Sequence, residues 1–539
     1  MTLTSQQEEI INSTIPSFKI NAVAGSGKTT TLLEYAKKNS HLKILYLAYN
    51  KSLQISLQEK LKEYNLPSLH VSTIHSLAYS RIEAYNYKLT HDLKNHIVES
   101  LITNHELQQH QKAYYPTPEY IALIKDLVNF YCNSSLIALD SELLQAYKKQ
   151  SDLGAKIIEL LSKNEKRVLE HLKTILSSMK NRIIDATHDF YLKMFYLNKK
   201  ISSNLNYDLI LVDEAQDISD VMIAIVESQN CRRIYVGDSF QQIYSFRFAT
   251  NALNKIDLPS YDLTQSFRFG DNFAKTLQSY LNSLYEINGS NLLKISGTER
   301  NTKIGKEFID FSKPFCVIAR STFGLIQQLV YFIHDKKKIY FEGGYNSYSF
   351  MNQTVYSIFY LKQKKNDKIT IDEIKDFETI GELEQFAKDT KNQDYLNIIK
   401  FINTYGDNIF EINKKIKEYL VNDKSQADII FTTTHKSKGL EYDQVIMADD
   451  FISKKEIVNT KNKLSFQKAN EELNIYYVAA TRAKNKIQLA DLNLTYTYNE
   501  NDDTNAFVKP SRYINRRTDN KKSKELQEEW LKRNRVKKV

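Results

Sequence analysis

Residues 18–38 read FKINAVAGSGKTTTLLEYAKK: an apolar run, a loop with two glycines, then a run of helical composition. Strand, glycine loop and helix in that order are the context a phosphate-binding loop requires. Gly25 and Gly27 let the backbone turn sharply. The N–H groups of the loop spanning Ala22, Val23, Ala24, Gly25, Ser26, Gly27, Lys28, Thr29 and Thr30 then converge on phosphates at the helix N-terminus. Lys28 adds a point charge at the β- and γ-phosphates, and the Thr29 hydroxyl completes a magnesium shell. Ala22 stands where such loops have their first glycine.

A second stretch supplies the other half of that chemistry. LILVDEAQD (209–217) is a buried-type strand ending in two adjacent carboxylates, Asp213 and Glu214. At the C-terminal end of a parallel strand they face the same crevice as the phosphate loop. Asp213 is placed to hold magnesium, and Glu214 to position and deprotonate an attacking water.

Outward from these two stretches, short aliphatic or β-branched runs recur in two blocks. The first holds FKINAVA (18–24), KILYLAY (43–49), LHVST (69–73), YDLILVDE (207–214) and RRIYVGD (232–238). The second holds PFCVIAR (314–320), KIYFEGG (338–344), ADIIFTT (427–433) and DQVIMAD (443–449). Continuous apolar strands separated by helical stretches predict an α/β class with parallel sheets. Each block is interrupted by a helical stretch too long for a loop. Ile121, Ile124, Leu127, Val128 and Tyr131 recur at helical spacing in one, and Ile409, Ile412 and Ile416 in the other. The expected organisation is two α/β cores, each with a helical insertion. The first core takes 1–80 and 186–262 around an insertion at 81–185. The second takes 263–344 and 426–500 around a short insertion at 345–425. A basic, partly disordered tail takes 501–539.

Composition bounds the rest. The chain has 539 residues, and no run of 18 or more apolar ones, so no membrane span is expected. Cys132, Cys231 and Cys316 are spaced for neither a disulfide framework nor a metal knuckle, which predicts reduced thiols of a cytoplasmic protein. The net charge of +10 is concentrated at one end. Residues 509–539 hold twelve Lys/Arg against four Asp/Glu, a surplus of +8. Charge therefore describes a tail attractive to polyanions, nucleic acid or an acidic protein partner, and not a basic protein.

GKT with DEAQD resembles the UvrD/Rep/PcrA group of superfamily 1 helicases, whose remaining motifs follow in order. LTSQQ (3–7) resembles the adenine-reading Q motif, with Gln7 at the matching position. GDSFQQIYSFR (237–247) is similar to motif III, where Gln241 senses the γ-phosphate. LTQSFRFG (263–270) resembles motif IV, which sets Phe267 against adenine and Arg268 on the γ-phosphate. TTHKSKGLEYD (433–443) resembles motif V, with Glu441 near the ribose. YYVAATRAK (476–484) resembles motif VI, with Arg482 as arginine finger. The resemblance implies two RecA-like motor domains that use ATP and Mg²⁺. GDSFQQIYSFR, LTQSFRFG and HDFYLK (188–193) look nearest to the F-box DNA helicase branch, although no F-box is expected ahead of a Q motif at residue 3.

The same resemblance marks a nucleic-acid track. Single strands are held by aromatic platforms and by charge along the backbone. Phe246 matches the stacking platform and Arg247 a backbone contact, with Tyr244 beside them. STIHS (72–76) matches a strand-contacting motif through Thr73 and His75, and AYNKS (48–52) another through Tyr49 and Asn50. In motif V, Thr433 and His435 are placed to link strand and nucleotide.

Three departures stand out. The aromatic of AYNKS lies one residue later than in better-known members, Thr30 replaces an arginine that packs on adenine, and the second insertion is much shorter. The expected function is an ATP-dependent single-strand DNA translocase and helicase acting on duplex with a single-stranded tail, 3′ to 5′ by resemblance. A nucleotide-switched ATPase gating a nuclease or effector partner, and an RNA helicase, are the alternatives. A fused nuclease is not expected, because only 57 residues follow Arg482.

Overall fold

The computed structural model describes residues 3–64, 66–110, 114–150, 154–244, 248–285, 293–348, 352–451 and 463–490. The chain divides into two compact units, residues 1–267 with 385–392, and residues 268–384 with 393–539.

The first unit is built on six strands: β1 (Phe18–Ala22), β2 (Ile44–Leu47), β3 (Leu69–Ser72), β6 (Leu209–Val212), β7 (Arg232–Gly237) and β8 (Ser260–Leu263). They pair in parallel in the order β3-β2-β6-β7-β1-β8. Because side chains alternate along a strand, adjacent residues supply opposite faces. Leu45, Leu47, Ile210, Val212 and Tyr235 enter one apolar cluster. Ile44, Tyr46, Leu209, Leu211, Ile234 and Val236 enter another. Both faces are covered along β2, β6 and the latter part of β7, which is why those stretches read as unbroken apolar runs. Parallel strands align their C-terminal ends, so the loops after β1, β2, β3, β6 and β7 gather at one edge.

A two-stranded parallel ribbon, β4 (Leu89–Thr90) with β5 (Ala186–Thr187), brackets the helices between residues 95 and 180. Those helices bury a core of their own, in which Ile121, Ile124, Leu127, Val128 and Tyr131 all take part. Helix Pro118–Asn133 shows why it starts where it does. Thr117 caps it by accepting the Tyr120 N–H, and Pro118 occupies the first turn, where no N–H partner is needed.

A small pair, β9 (Gln265–Gly270) with β10 (Ser296–Thr298), follows in the chain, and the second unit carries a second six-stranded sheet. That sheet comprises β11 (Lys303–Ile304), β12 (Phe315–Ala319), β13 (Ile339–Phe341), β14 (Ile429–Thr433), β15 (Tyr442–Met447) and β16 (Ala483–Gln488). Its order is β11-β16-β15-β12-β14-β13, again parallel. Helices including Gln353–Lys362, Ile380–Asp389, Gln393–Tyr405 and Asn408–Tyr419 separate β13 from β14. Ile409, Ile412 and Ile416 are buried along one side of the last of these. This is the α/β class, with two parallel RecA-like sheets and many helices. The tail from residue 501, with its expected disorder, lies outside the described residues.

No helix among the described residues is long and apolar enough to cross a membrane. The three cysteines are free; Cys132 and Cys316 are buried and Cys231 is half-buried.

Candidate nucleotide and nucleic-acid site

In the phosphate loop Gly25 and Gly27 both have positive φ, 75° and 80°. Gly27 opens helix Lys28–Lys38 with no side-chain cap, so the first N–H groups of that helix are left to a ligand. A Cβ on Gly27 would stand 2.8 Å from Gln7 Nε2, so glycine is required for space as well as for conformation. Ser26 Oγ is buried without a hydrogen-bond partner. An orphaned hydroxyl costs stability unless something bonds to it. A phosphate oxygen fits it, and a nucleotide triphosphate fits the loop.

The carboxylates converge on Lys28. Its Nζ lies 3.7 Å from Glu214 Oε1. Glu214 adopts φ 54°, a left-handed conformation that a residue with a Cβ rarely takes and that marks stored strain. Its neighbour Asp213 is buried, and burial first, the Glu214 charge second, push its carboxyl up to about 6. Tyr46 answers with its hydroxyl, donating to Asp213 Oδ2 at 2.6 Å and meeting the Thr29 side chain as well. Thr29, Tyr46 and Asp213 thus form one chain linking the two side chains expected to hold magnesium. Oxygen donors of this kind suit that hard cation.

Behind them lies a buried amide and carboxylate relay. Gln216 Nε2 donates to Glu214 Oε2 at 2.5 Å, and Gln216 Oε1 accepts the Asp238 N–H at 3.0 Å. Gln241 Nε2 donates to Asp238 Oδ2 at 2.6 Å, so Gln241 is tied to Glu214 through two intermediates. Burial raises the Asp238 carboxyl, and the Lys28 charge opposes that shift. A Cβ on Gly237 would stand 2.3 Å from Gln216 Oε1, so a side chain there would displace the amide that holds Glu214.

The adenine side is partly closed. Thr4 and Gln7 form a capping box on helix Ser5–Ile11, and Gln7 Nε2 also donates to Thr31 Oγ1 at 3.1 Å. Gln7 is only 3% exposed, so its amide braces the loop. Phe267 is 41% exposed despite its size, and its N–H donates to Gly25 O at 2.9 Å. An open aromatic face clamped to the phosphate loop is a ready platform for a base. Val23 donates to Leu263 O, which ties the loop to β8 as well. Ala22 and Ala24 are buried and Thr30 half-buried.

On the nucleic-acid side, Tyr49 and Tyr244 stack with centroids 5.8 Å apart and planes 18° off parallel. Tyr49 follows β2 and Tyr244 follows β7, which puts the pair on the same sheet edge as the phosphate loop. Thr73 is buried as the N-cap of helix Ile74–Arg81, bonding the Ser76 N–H at 3.0 Å. Asn50 is exposed and accepts the Leu53 N–H at 2.8 Å. His75 Nε2 sits 3.1 Å from Asp189 Oδ1. A recess is lined by Tyr49, Ile74, His75, Asp213 and Met222, among others. Asp213 therefore lines the same recess as Tyr49 and His75. Phe246 and Arg247 lie outside the described residues.

In the second unit, Arg268 donates to Glu441 Oε1 through Nε at 2.8 Å, and to Thr481 O through Nη1 at 2.9 Å. Burial opposes it, but the Arg268 and Lys484 charges hold the Glu441 carboxyl below its usual range. Arg482 is 1% exposed, with Nε on Val478 O at 2.9 Å and Nη1 on Leu440 O at 3.2 Å. Thr433 is buried at the end of β14, and His435 is half-buried on the following turn. Tyr46, Gln216, Asp238 and Phe267's backbone bond escaped sequence reasoning. Tyr46 lies inside an apolar strand run, where nothing distinguishes a bonded hydroxyl from a packing ring.

Comparison with known proteins gives the chain's similarities. Residues 3–256 match the family model of the UvrD/REP helicase N-terminal domain. F-box DNA helicase 1 of Gallus gallus is 31% identical over 518 residues, covering 89% of this chain and 48% of that protein. F-box DNA helicase protein 1 of Schizosaccharomyces pombe is 30% identical over 529 residues, covering 91% and 57%. An ATP-dependent helicase/nuclease of Lactococcus lactis is 32% identical over 144 residues, 24% of this chain and 11% of that protein. The chain spans about half the length of the two F-box relatives it matches. The phosphate loop and the carboxylate pair thus lie within the stretch that matches the UvrD/REP helicase N-terminal domain, and over about nine tenths of its length the chain is similar to F-box DNA helicases.

Proposed function

We propose that the chain is an ATP-driven single-strand DNA translocase and helicase, moving 3′ to 5′ on duplex with a single-stranded tail. The observation that carries the proposal is the shared wall. Asp213, on the nucleotide side, and Tyr49 and His75, on the strand side, line one recess. A change of charge at the first is thereby adjacent to the groups that grip the second.

Each residue then has a task. Lys28 and the N–H groups from Gly25 to Thr29 hold the β- and γ-phosphates. Thr29 and Asp213 hold Mg²⁺, kept in register by Tyr46. The metal, when bound, neutralises charge building on the phosphate oxygens. Glu214 orients a water and takes its proton; Gln216 fixes the carboxylate that does so. Gln241 reports the state of the phosphates through Asp238 and Gln216. Phe267 stacks adenine while Gln7 braces the loop beneath it. Arg268 and Arg482 are the candidates for stabilising transition-state charge, a role worth about 10³–10⁵ in rate. To act so, Arg268 must leave Glu441, and Arg482 must leave the carbonyls of Val478 and Leu440.

Two motor cores, with helical insertions at 81–185 and 345–425, belong to this reading. So does a cytoplasmic setting, which the free thiols support. Tyr49, Tyr244 and the stacking position Phe246 are assigned to bases; Asn50, Thr73, Arg247, Thr433 and His435 are assigned to the backbone.

The test is steady-state ATPase activity with no nucleic acid, with single-stranded DNA, and with single-stranded RNA of matched sequence. Glu214→Gln, expected to lower turnover at least about 10²-fold, controls for contaminants. Stimulation by DNA alone supports the motor. Equal activity without any strand overturns it in favour of a partner-gating ATPase, and stronger stimulation by RNA points to an RNA helicase.

A further inference from the structure

Two histidine rings meet beside Tyr191, whose ring in turn touches His75, a lining residue of the recess. The ribbon explains why. Leu89 pairs with Ala186 and Thr90 with Thr187 in parallel register, so the next residues, His91 and His188, emerge side by side. Their ring centroids are 5.3 Å apart. Tyr191, one turn along from His188, accepts or donates at His188 Nδ1 across 3.4 Å and presents its ring to the edge of His75 at 5.9 Å. Tyr79 closes the row against Tyr191 at 5.8 Å.

The surrounding charges leave this cluster room to become positive. Asp189 is spent: it faces His75 at 3.1 Å and accepts from Asn133 Nδ2 at 2.9 Å. Despite burial, those partners hold its carboxyl below the usual range. Asp92 is paired with Lys125 at 2.9 Å, and Asp185 with Lys88 at 3.3 Å. Asp92 and Asp185 are thus engaged with lysines, and Asp189 is held by His75 and Asn133. Burial first, then the proximity of His91 and His75, pushes the His188 imidazole below its ordinary range. An arriving anion would relieve that repulsion. A metal ion is a poorer occupant, since no group of three or more His, Cys, Asp or Glu among the described residues could hold one.

We propose that His91 and His188, next to His75, form a proton-gated cradle for a backbone phosphate of the bound strand. It lengthens the track beyond Tyr49 and Tyr244 and makes the grip tighten as pH falls through the imidazole range. The inference rests on the nucleic-acid reading above.

Binding of a fluorescent oligothymidine, at equal ionic strength at about pH 5 and about pH 8, tests it. The wild-type chain should bind on the order of tenfold tighter at the lower pH, the low end of what one hydrogen bond to a charged group contributes. Its salt slope should steepen by about 0.7 for each phosphate gained. His91→Gln/His188→Gln should match wild type at the higher pH and lose both changes. If that double variant melts early, His91→Gln alone decides, because His91 is exposed. A wild-type affinity indifferent to pH, or a variant that keeps the gain, overturns the cradle while leaving strand binding standing. Absence of binding at both pH values overturns the cradle and the nucleic-acid reading together.

Discussion

At the scale of single residues, the candidate nucleotide site is organised by groups set behind the side chains expected to hold the ligand. Tyr46 is the clearest. Buried in β2, it spends its hydroxyl on Asp213 at 2.6 Å and also meets Thr29, which sets the spacing of both expected magnesium-holding side chains. Groups that orient metal-binding side chains contribute about 10–100-fold to metal affinity. Tyr46→Phe keeps the ring that packs between β2 and its neighbours and removes only the hydroxyl. We expect its ATPase activity to need about tenfold more Mg²⁺ for half-saturation, with a much smaller change in the requirement for ATP. A magnesium titration at fixed ATP reads this directly. An unchanged half-point would assign Tyr46 to packing alone.

At the scale of elements, the helices between residues 95 and 180 owe their fit to a buried polar network as much as to their apolar stripe. His171, fully buried, lies with Nε2 3.0 Å from Glu106 Oε1 and Nδ1 2.8 Å from the Tyr120 hydroxyl. Arg167 Nε reaches the same Glu106 oxygen at 2.9 Å. A neutral imidazole satisfies this arrangement, with Nε2–H donating to Glu106 and Nδ1 accepting from Tyr120. Burial lowers the His171 imidazole to about 4, with Glu106 opposing the shift. The unfolded chain therefore takes up a proton near the ordinary value of about 6.5, and the folded one does not until about 4. Protonation favours the unfolded state across that window, so stability is full above it and is lost as pH falls through it. Thermal unfolding followed from about pH 7.5 to about 4.5 should show the decline in wild type. His171→Gln, which retains a donor and an acceptor, should flatten it.

At the scale of the whole molecule, charge and fold are distributed separately. The chain's +10 is carried mostly by residues 509–539, while the two sheets are built from apolar strands. If that tail holds phosphates, deleting 509–539 should weaken single-strand binding and lower its salt slope by about 0.7 for each phosphate let go. The ATPase rate without nucleic acid should stay as it was. Affinity measured across a salt series checks it, and an unchanged slope would reduce the tail to a solvated appendage.

Much of this protein was written in local pattern. Nine of its strands fall in stretches of mostly aliphatic or β-branched composition, because both faces of a parallel sheet are largely buried. The phosphate loop and the Asp213–Glu214 pair were legible because their chemistry needs fixed residue types at fixed spacing. The remaining strands were not. β8 lies at a sheet edge with two of its four residues exposed, β16 carries four polar residues in six, and β4 and β5 have two residues each. Partnership across the chain was equally hidden. Tyr46 and Asp213 stand 167 residues apart, and His75 and Asp189 stand 114 apart. Residue type and period decide which segments form strands, helices and loops, since those follow from local sterics and burial. Which hydroxyl steadies which carboxylate, and which imidazoles gather at a strand's end, is set only when the sheet order brings distant segments together.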